Sequence, residues 1–335
     1  MNHRLALAAF FTLLPLSVFA GCSDDETSDN GPSGPGSGAA SSSGSPSSSS
    51  GASGASGGSG AEGGAGATGG TGTAGGAVGG GGGTGGATGE TADHLVISEV
   101  AVTPDVGEFI EIYNPGNSAV DLSQYWLADN SAYYTVTSGA AWDPDGTPGS
   151  DFAAKFPAGA SLAGGARITI GTHPDYATTY GACPTYFIAE ADVACMNTDV
   201  PALVLLDTVA GDPLVPGTLL SNMREMLVLF RWDGVLDSNV EDVDYVTWGD
   251  EFEDVTRIDK TGVGTYAADT ARDMQKPALA PFGGNSIERC PDGVEVGEKQ
   301  TAGNGVTGHD ETSEDFAGAF KATMPPTPGA ANACN

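Results

Sequence analysis

Residues 95–129 read LVISEVAVTPDVGEFIEIYNPGNSAVDLSQYWLAD, and this stretch decides the fold. Residues 95–102 and 108–113 alternate bulky apolar with polar side chains, the period of half-buried strands. Between them, Thr103-Pro104-Asp105-Val106-Gly107 brings proline and glycine to the place where a hairpin must turn. Asn114-Pro115-Gly116-Asn117 makes a second break, and Val120, Leu122, Tyr125 and Leu127 then predict a third strand. The same patterning predicts strands over 132–137, 167–170, 203–206, 226–232 and 243–248, with weaker signals over 286–289 and 319–323. Short strands separated by Gly, Pro, Asn and Asp, without a long amphipathic helix, indicate an all-β class. The intervals 138–156, 171–201 and 249–284 become long surface insertions, where binding specificity is expected to sit.

Upstream the chain changes character. Met1-Asn2-His3-Arg4 carries one firm positive charge and leads into the apolar run 5–20, the layout of a secretory signal and too short for a comfortable permanent span. The run closes on Val18-Phe19-Ala20-Gly21-Cys22, which resembles the lipobox of bacterial lipoproteins, with Phe19 where an aliphatic residue is usual. That resemblance implies a signal peptide over 1–21 and a lipid on Cys22; an ordinary signal peptide with an incidental cysteine is the alternative. Ser23, rather than Asp, after the cysteine implies sorting to the outer membrane by the same resemblance. Residues 22–92 are almost wholly Gly, Ser, Ala and Thr, and cannot bury enough apolar surface to offset ordering entropy, so a disordered tether is expected. A coil of about 70 residues spans roughly 45 Å on average and about 240 Å when stretched. Gly54-Ala55-Ser56-Gly57-Gly58 matches GxSxG, and the glycine run 79–83 approaches GxGxxG, but no flanking strand or helix supports either motif.

The head, residues 93–335, is where the family resemblance lies. Ile97-Ser98-Glu99, EFIEIYN at 108–114 and VDLSQYWLAD at 120–129 are similar to the opening of a lamin tail domain, the immunoglobulin-like β-sandwich at the end of nuclear lamins and in many bacterial secreted proteins. FPAGASLAGGARITI at 156–170, MLVLFRWDGVLD at 226–237, NSIER at 285–289 and TPGAAN at 327–332 continue the likeness in order. It implies one sandwich with long loop insertions and a role as an interaction or scaffolding module. Lamins carry a heptad-patterned rod before this domain; here the Gly/Ser tether stands in that place, so filament formation does not transfer.

Five cysteines, Cys22, Cys183, Cys195, Cys290 and Cys334, make an odd count for an exported chain unless one is otherwise occupied. Assigning Cys22 to the lipid leaves four for structural bridges. Sequence neighbours suggest Cys183–Cys195 and Cys290–Cys334, although four cysteines permit three pairings. No CxxC pair points to zinc or redox chemistry.

The six carboxylates and one arginine that precede residue 93 leave the head with 37 acidic and 11 basic residues, about −26. Nucleic-acid binding needs a basic footprint, and none is visible. The acidity fits either cation binding or solubility. Asp143-Pro144-Asp145-Gly146 with Asp151 is the best calcium loop, but its spacing is not that of an EF-hand, and Asp-stabilised turns explain the same residues. Glu241-Asp242-Val243-Asp244 and the acidic run 250–254 are expected to be solvated strand edge and loop. His309-Asp310-Glu311-Thr312-Ser313-Glu314 invites a metal or general-base reading, yet no second histidine stands at ligand spacing and HExxH is absent; a turn or helix start capped by Ser313 is simpler. Glu99, Glu108 and Glu111 can form a carboxylate row, with solvent-facing glutamates the plainer expectation. Trp126, Trp142, Trp232 and Trp248 are expected in the core, Trp142 alone inviting a glycan-stacking role. No catalytic, cofactor or metal residue is assigned. The expectation is a non-enzymatic surface lipoprotein, held to the membrane only through Cys22 and meeting an envelope or extracellular protein or polysaccharide. The alternatives are a secreted metal-dependent hydrolase and a calcium-binding adhesion module.

Overall fold

The structure is a computed structural model and describes residues 89–139, 142, 151–188, 193–195, 199–206, 219–249 and 256–334. The signal peptide, Cys22, almost all of the tether, the Asp143–Asp145 loop and the acidic run 250–254 lie outside these residues. In chain order the strands are β1 (Gly89–Thr91), β2 (Val96–Ala101), β3 (Phe109–Tyr113), β4 (Val120–Asp121), β5 (Tyr125–Ala128), β6 (Ala153–Lys155), β7 (Ser161–Leu162) and β8 (Arg167–Gly171). A short helix α1 (Tyr176–Tyr180) precedes β9 (Tyr186–Phe187), β10 (Val204–Leu205), β11 (Glu225–Arg231), β12 (Glu241–Trp248), β13 (Ser286–Arg289) and β14 (Val294–Val296). One further turn of helix, α2 (Phe316–Ala319), leads into β15 (Phe320–Met324).

Two sheets make the sandwich. One runs β15-β13-β2-β3-β8-β9 and the other β10-β6-β5-β11-β12, with the small pairs β1-β14 and β4-β7 at the margins. All pairings are antiparallel except β8 with β9. A single buried cluster draws Ile97, Val100, Ile110, Ile112, Ile168 and Ile170 from the first sheet and Leu127, Leu227, Leu229 and Val246 from the second. Ile97 and Val100 are three apart, a spacing that a regular strand would send to opposite faces. The register slips between Ile97 and Glu99, a bulge that adds one residue and returns both side chains to the core. Residues 256–334 complete the same sandwich, because β13 lies between β15 and β2.

Several expectations need correction. The third strand is two short ones, β4 and β5, broken where Ser123 N–H bonds the Asp121 carboxylate. Residues 132–137 do not form a strand. A 3-10 turn covers Tyr133–Ser138, started by the Asn130 side chain accepting from Ala132 N–H and ended by Gly139 at φ +68°. Tyr133 and Val136, one such turn apart, both point inward. β6 lies inside the interval read as an insertion, and β9, with α1, inside the next. Trp142 is buried, its Nε1–H donating to Ala132 O, so no exposed tryptophan offers a glycan platform. Among the described residues no helix is long and apolar enough to cross a membrane.

Candidate functional site

The charged groups of the opening strands do not face water. Glu99, Glu108 and Glu111 are fully buried, contrary to the expectation of solvent-facing glutamates. Glu99 pairs across the sheet with Glu111 on one side and Glu288 on the other, so a carboxylate row does form on the outer face of the six-stranded sheet. Residues 327–334 lie over it as a strap. Thr327 N–H and Oγ1–H donate to Glu99, Gly329 N–H to Glu111 and Ala333 N–H to Glu288. Asn332 Nδ2–H reaches Ser98 O and Arg289 O, and Cys334 is bridged to Cys290, with Cα atoms 5.2 Å apart. Glu108 lies elsewhere, accepting from Thr172 Oγ1–H and Leu220 N–H. Burial raises all three of Glu99, Glu108 and Glu111 to about 7 against these hydrogen bonds. The second bridge, Cys183–Cys195, staples the segment around α1 and β9, with Cα atoms 5.8 Å apart.

Asp242 and Asp244, expected at a solvated edge, are buried as well. Asp242 meets Lys260 Nζ at 2.6 Å and also accepts from Tyr133 O–H, while Asp269 lies 3.5 Å from the same ammonium. Lys260 is fully buried, and burial opposes its charge, but the two aspartates hold its pKa above the usual lysine value. Asp244 takes both Nη2 contacts of fully buried Arg289 at 2.9 and 3.0 Å and accepts from Ile97 N–H. Arg289 Nη1 reaches Glu314 at 2.5 Å. Lys260 thus pairs with Asp242 and Asp269, and Arg289 with Asp244 and Glu314, contacts that tie β12 to β2 and β13.

A third cluster is of a different kind. His94 lies between β1 and β2, Glu295 lies on β14, Glu298 follows it, and His309 and Glu311 lie just before α2. The fold brings the two imidazoles, 215 positions apart, to a ring separation of 5.6 Å, so the second histidine absent at local spacing is supplied from the start of the head. His94 Nε2 is 2.8 Å from Glu295 and 3.8 Å from Glu311; His309 Nδ1 is 3.2 Å from Glu298. His94 Nδ1 meets Asp93 Oδ1 at 3.1 Å. Two triads, His94-Glu295-Glu311 and Glu295-Glu298-His309, each gather their donor atoms within 4.8 Å of one another, and Asp93-His94-His309 makes a third. Burial lowers the His94 imidazole, but Glu295 more than offsets this and the pKa rises to about 9. Burial, then Glu295, pushes Glu298 to about 9, and burial with the neighbouring Glu298 and Glu295 raises Glu311 well above the usual carboxylate value. Ser313 is not a helix cap: its hydroxyl donates to Asp310 O, and Asp315 caps α2 by accepting from Gly318 N–H.

The fold and these sites define an all-β, immunoglobulin-like module with several clusters of buried charge. The family model of the Lamin Tail Domain matches residues 88–250, and this part of the chain carries the lamin-tail-domain fold. A crystal structure of a DUF4876 family protein from Bacteroides thetaiotaomicron VPI-5482 is similar at 17% identity and a TM-score of 0.41, covering 72% of this chain and 75% of that one. No curated protein matches the chain.

Proposed function

We propose that the chain is a lipid-anchored, non-enzymatic surface protein that holds a lamin-tail-like interaction or scaffolding module away from the outer membrane on a flexible tether. The observation that carries this reading is closure: the convergent charged clusters described above are buried away from solvent. A catalytic site needs its acid, base or metal to face a substrate. One of the surface depressions among the described residues, about 370 Å³, is polar and lined by Arg231, Trp232, Asp233, Ser238 and Glu241 among others, without an imidazole or a nucleophile–base pair. The lipobox-like Val18–Cys22 motif and the Gly/Ser tether support anchoring and reach, and the likeness to the lamin tail domain supports a partner-binding role.

Metabolic labelling with an alkyne fatty acid, combined with protease shaving of intact cells, tests anchoring and display together. The wild-type chain should carry the label and be shaved, and Cys22→Ala should lose the label. An unlabelled wild type, or a head protected on intact cells, contradicts the proposal.

A further inference from the structure

We propose that His94, Glu295, Glu298, His309 and Glu311 form a structural site for a divalent first-row transition-metal ion, with zinc the reference ligand. The ion would lock the β1–β14 pair and the 297–313 loop onto the sandwich. The donor set is the first argument. Two imidazoles with carboxylates suit zinc and its neighbours, whereas calcium and magnesium take oxygen alone. Glu295 belongs to two of the three triads, so the donors form one connected set.

The second argument is independent of composition. His94 Nε2, Glu295 Oε1, Glu298 Oε1, His309 Nδ1 and Glu311 Oε1 are all buried and meet no aligned hydrogen-bond partner; their near contacts are within the cluster, His94 Nε2 lying 2.8 Å from Glu295 and His309 Nδ1 3.2 Å from Glu298. Buried polar atoms nearly always find an aligned partner, and five unaligned ones converging in one place require an explanation. A cation at their centre supplies it. The residues also exceed nine-tenths burial at the side chain: His94 is 4% exposed, Glu295 and Glu311 2%, His309 9% and Glu298 1%.

The surroundings fit. His94 Nδ1 meets Asp93 while Nε2 faces Glu295 and Glu311, the arrangement in which an outer-shell carboxylate orients a ligating ring once a bound cation displaces the Nε2 proton. The nearby cations are engaged elsewhere: Arg289 by Asp244 and Glu314, and Lys299 by Asp310 and Thr270. The loop closes tightly on the cluster, since a Cβ on Gly303 would fall 1.9 Å from His309 O, and one on Gly305 2.6 Å from Glu311 Oε1. Closure of the site matches a structural ion rather than a catalytic one, which keeps a coordination position open.

The test uses the full chain, stripped with chelator, desalted and given zinc alone. Metal content after gel filtration should be about one equivalent, with a higher melting temperature than the stripped chain. H309Q and E311Q should weaken zinc binding by at least ~10-fold, whereas H173Q, on a histidine outside the cluster, should leave it unchanged. A wild type that retains no zinc, or H309Q binding as tightly as wild type, overturns the proposal. Because these variants can fail to fold, the wild type is also read directly: crystals grown with zinc should show a zinc-edge anomalous peak between His94 and His309. A peak elsewhere, or none, overturns it equally.

Discussion

Replacing Arg289 with methionine strands two carboxylates inside the sandwich. Arg289 is fully buried, donates twice to Asp244 and once to Glu314, and bonds Ile97 O through Nε. Two unit charges about 4 Å apart attract by about 4 kcal/mol at the effective dielectric of such sites. Burial and Asp244 keep Glu314 largely protonated near neutrality, with a pKa of about 8 even beside the arginine, so the loss centres on Asp244. Removing one partner of a buried pair costs about 3–5 kcal/mol, a large share of a domain's total stability of about 5–15 kcal/mol. Urea unfolding followed by tryptophan fluorescence reads it, because Trp126, Trp142, Trp232 and Trp248 are all buried. Two further signatures separate stranded charge from lost packing. The penalty should shrink at pH 5, where orphaned Asp244 is more readily protonated, and Asp244→Asn added to Arg289→Met should recover at least half of it. A single-variant loss under about 1 kcal/mol, or a double variant worse than the single, would refute the reasoning.

Lys260→Met leaves Asp242 and Asp269 facing each other without their cation and should cost about 3 kcal/mol in the same assay; a neutral effect would show that the ammonium is not the balancing charge. Replacing Cys290 and Cys334 by alanine opens a loop of sequence separation 44 and should cost about 4 kcal/mol on the chain-entropy account, with exchange at Thr327 and Gly329 amides accelerating. For pH, Glu99 and Glu111 are raised from 4.5 to about 7, so the folded chain holds more protons than the unfolded one between those values. Their stabilisation is complete below about 4.5 and lost as pH rises through about 7, at most about 3 kcal/mol per carboxylate. The melting temperature should therefore fall from pH 5 to pH 8, and E99Q/E111Q should flatten the slope; an unchanged slope in that variant would remove the assignment.

Alternation made β2, β3, β8, β11 and β12 legible, because each places one face on the shared core. It failed at 132–137, where inward Tyr133 and Val136 satisfy a turn of three residues that a six-residue window does not distinguish from a strand. β6 escaped because three residues are too few for a period, and its burial comes from β5 and β10 on either side. The glutamates misled for a different reason. Glu99 and Glu111 occupy the outer face, as expected, but a strap more than 200 positions later covers them. TPGAAN at 327–332 carried the family likeness, while its physical role, filling the glutamate acceptors with backbone donors, is visible only in the fold. The His94–His309 cluster had the weakest signal: Asp93-His94 and His309-Asp310-Glu311 each look like ordinary polar turns, and no local spacing joins them.

Carbodiimide labelling of carboxylates, read by mass spectrometry on the native full chain, tests most directly whether the acidic groups are turned inward. Glu99, Glu108, Glu111, Asp242 and Asp244 should stay unlabelled until the chain unfolds, while exposed Glu241 reacts at once. Native-state labelling of the first set at the rate of Glu241 would contradict the account.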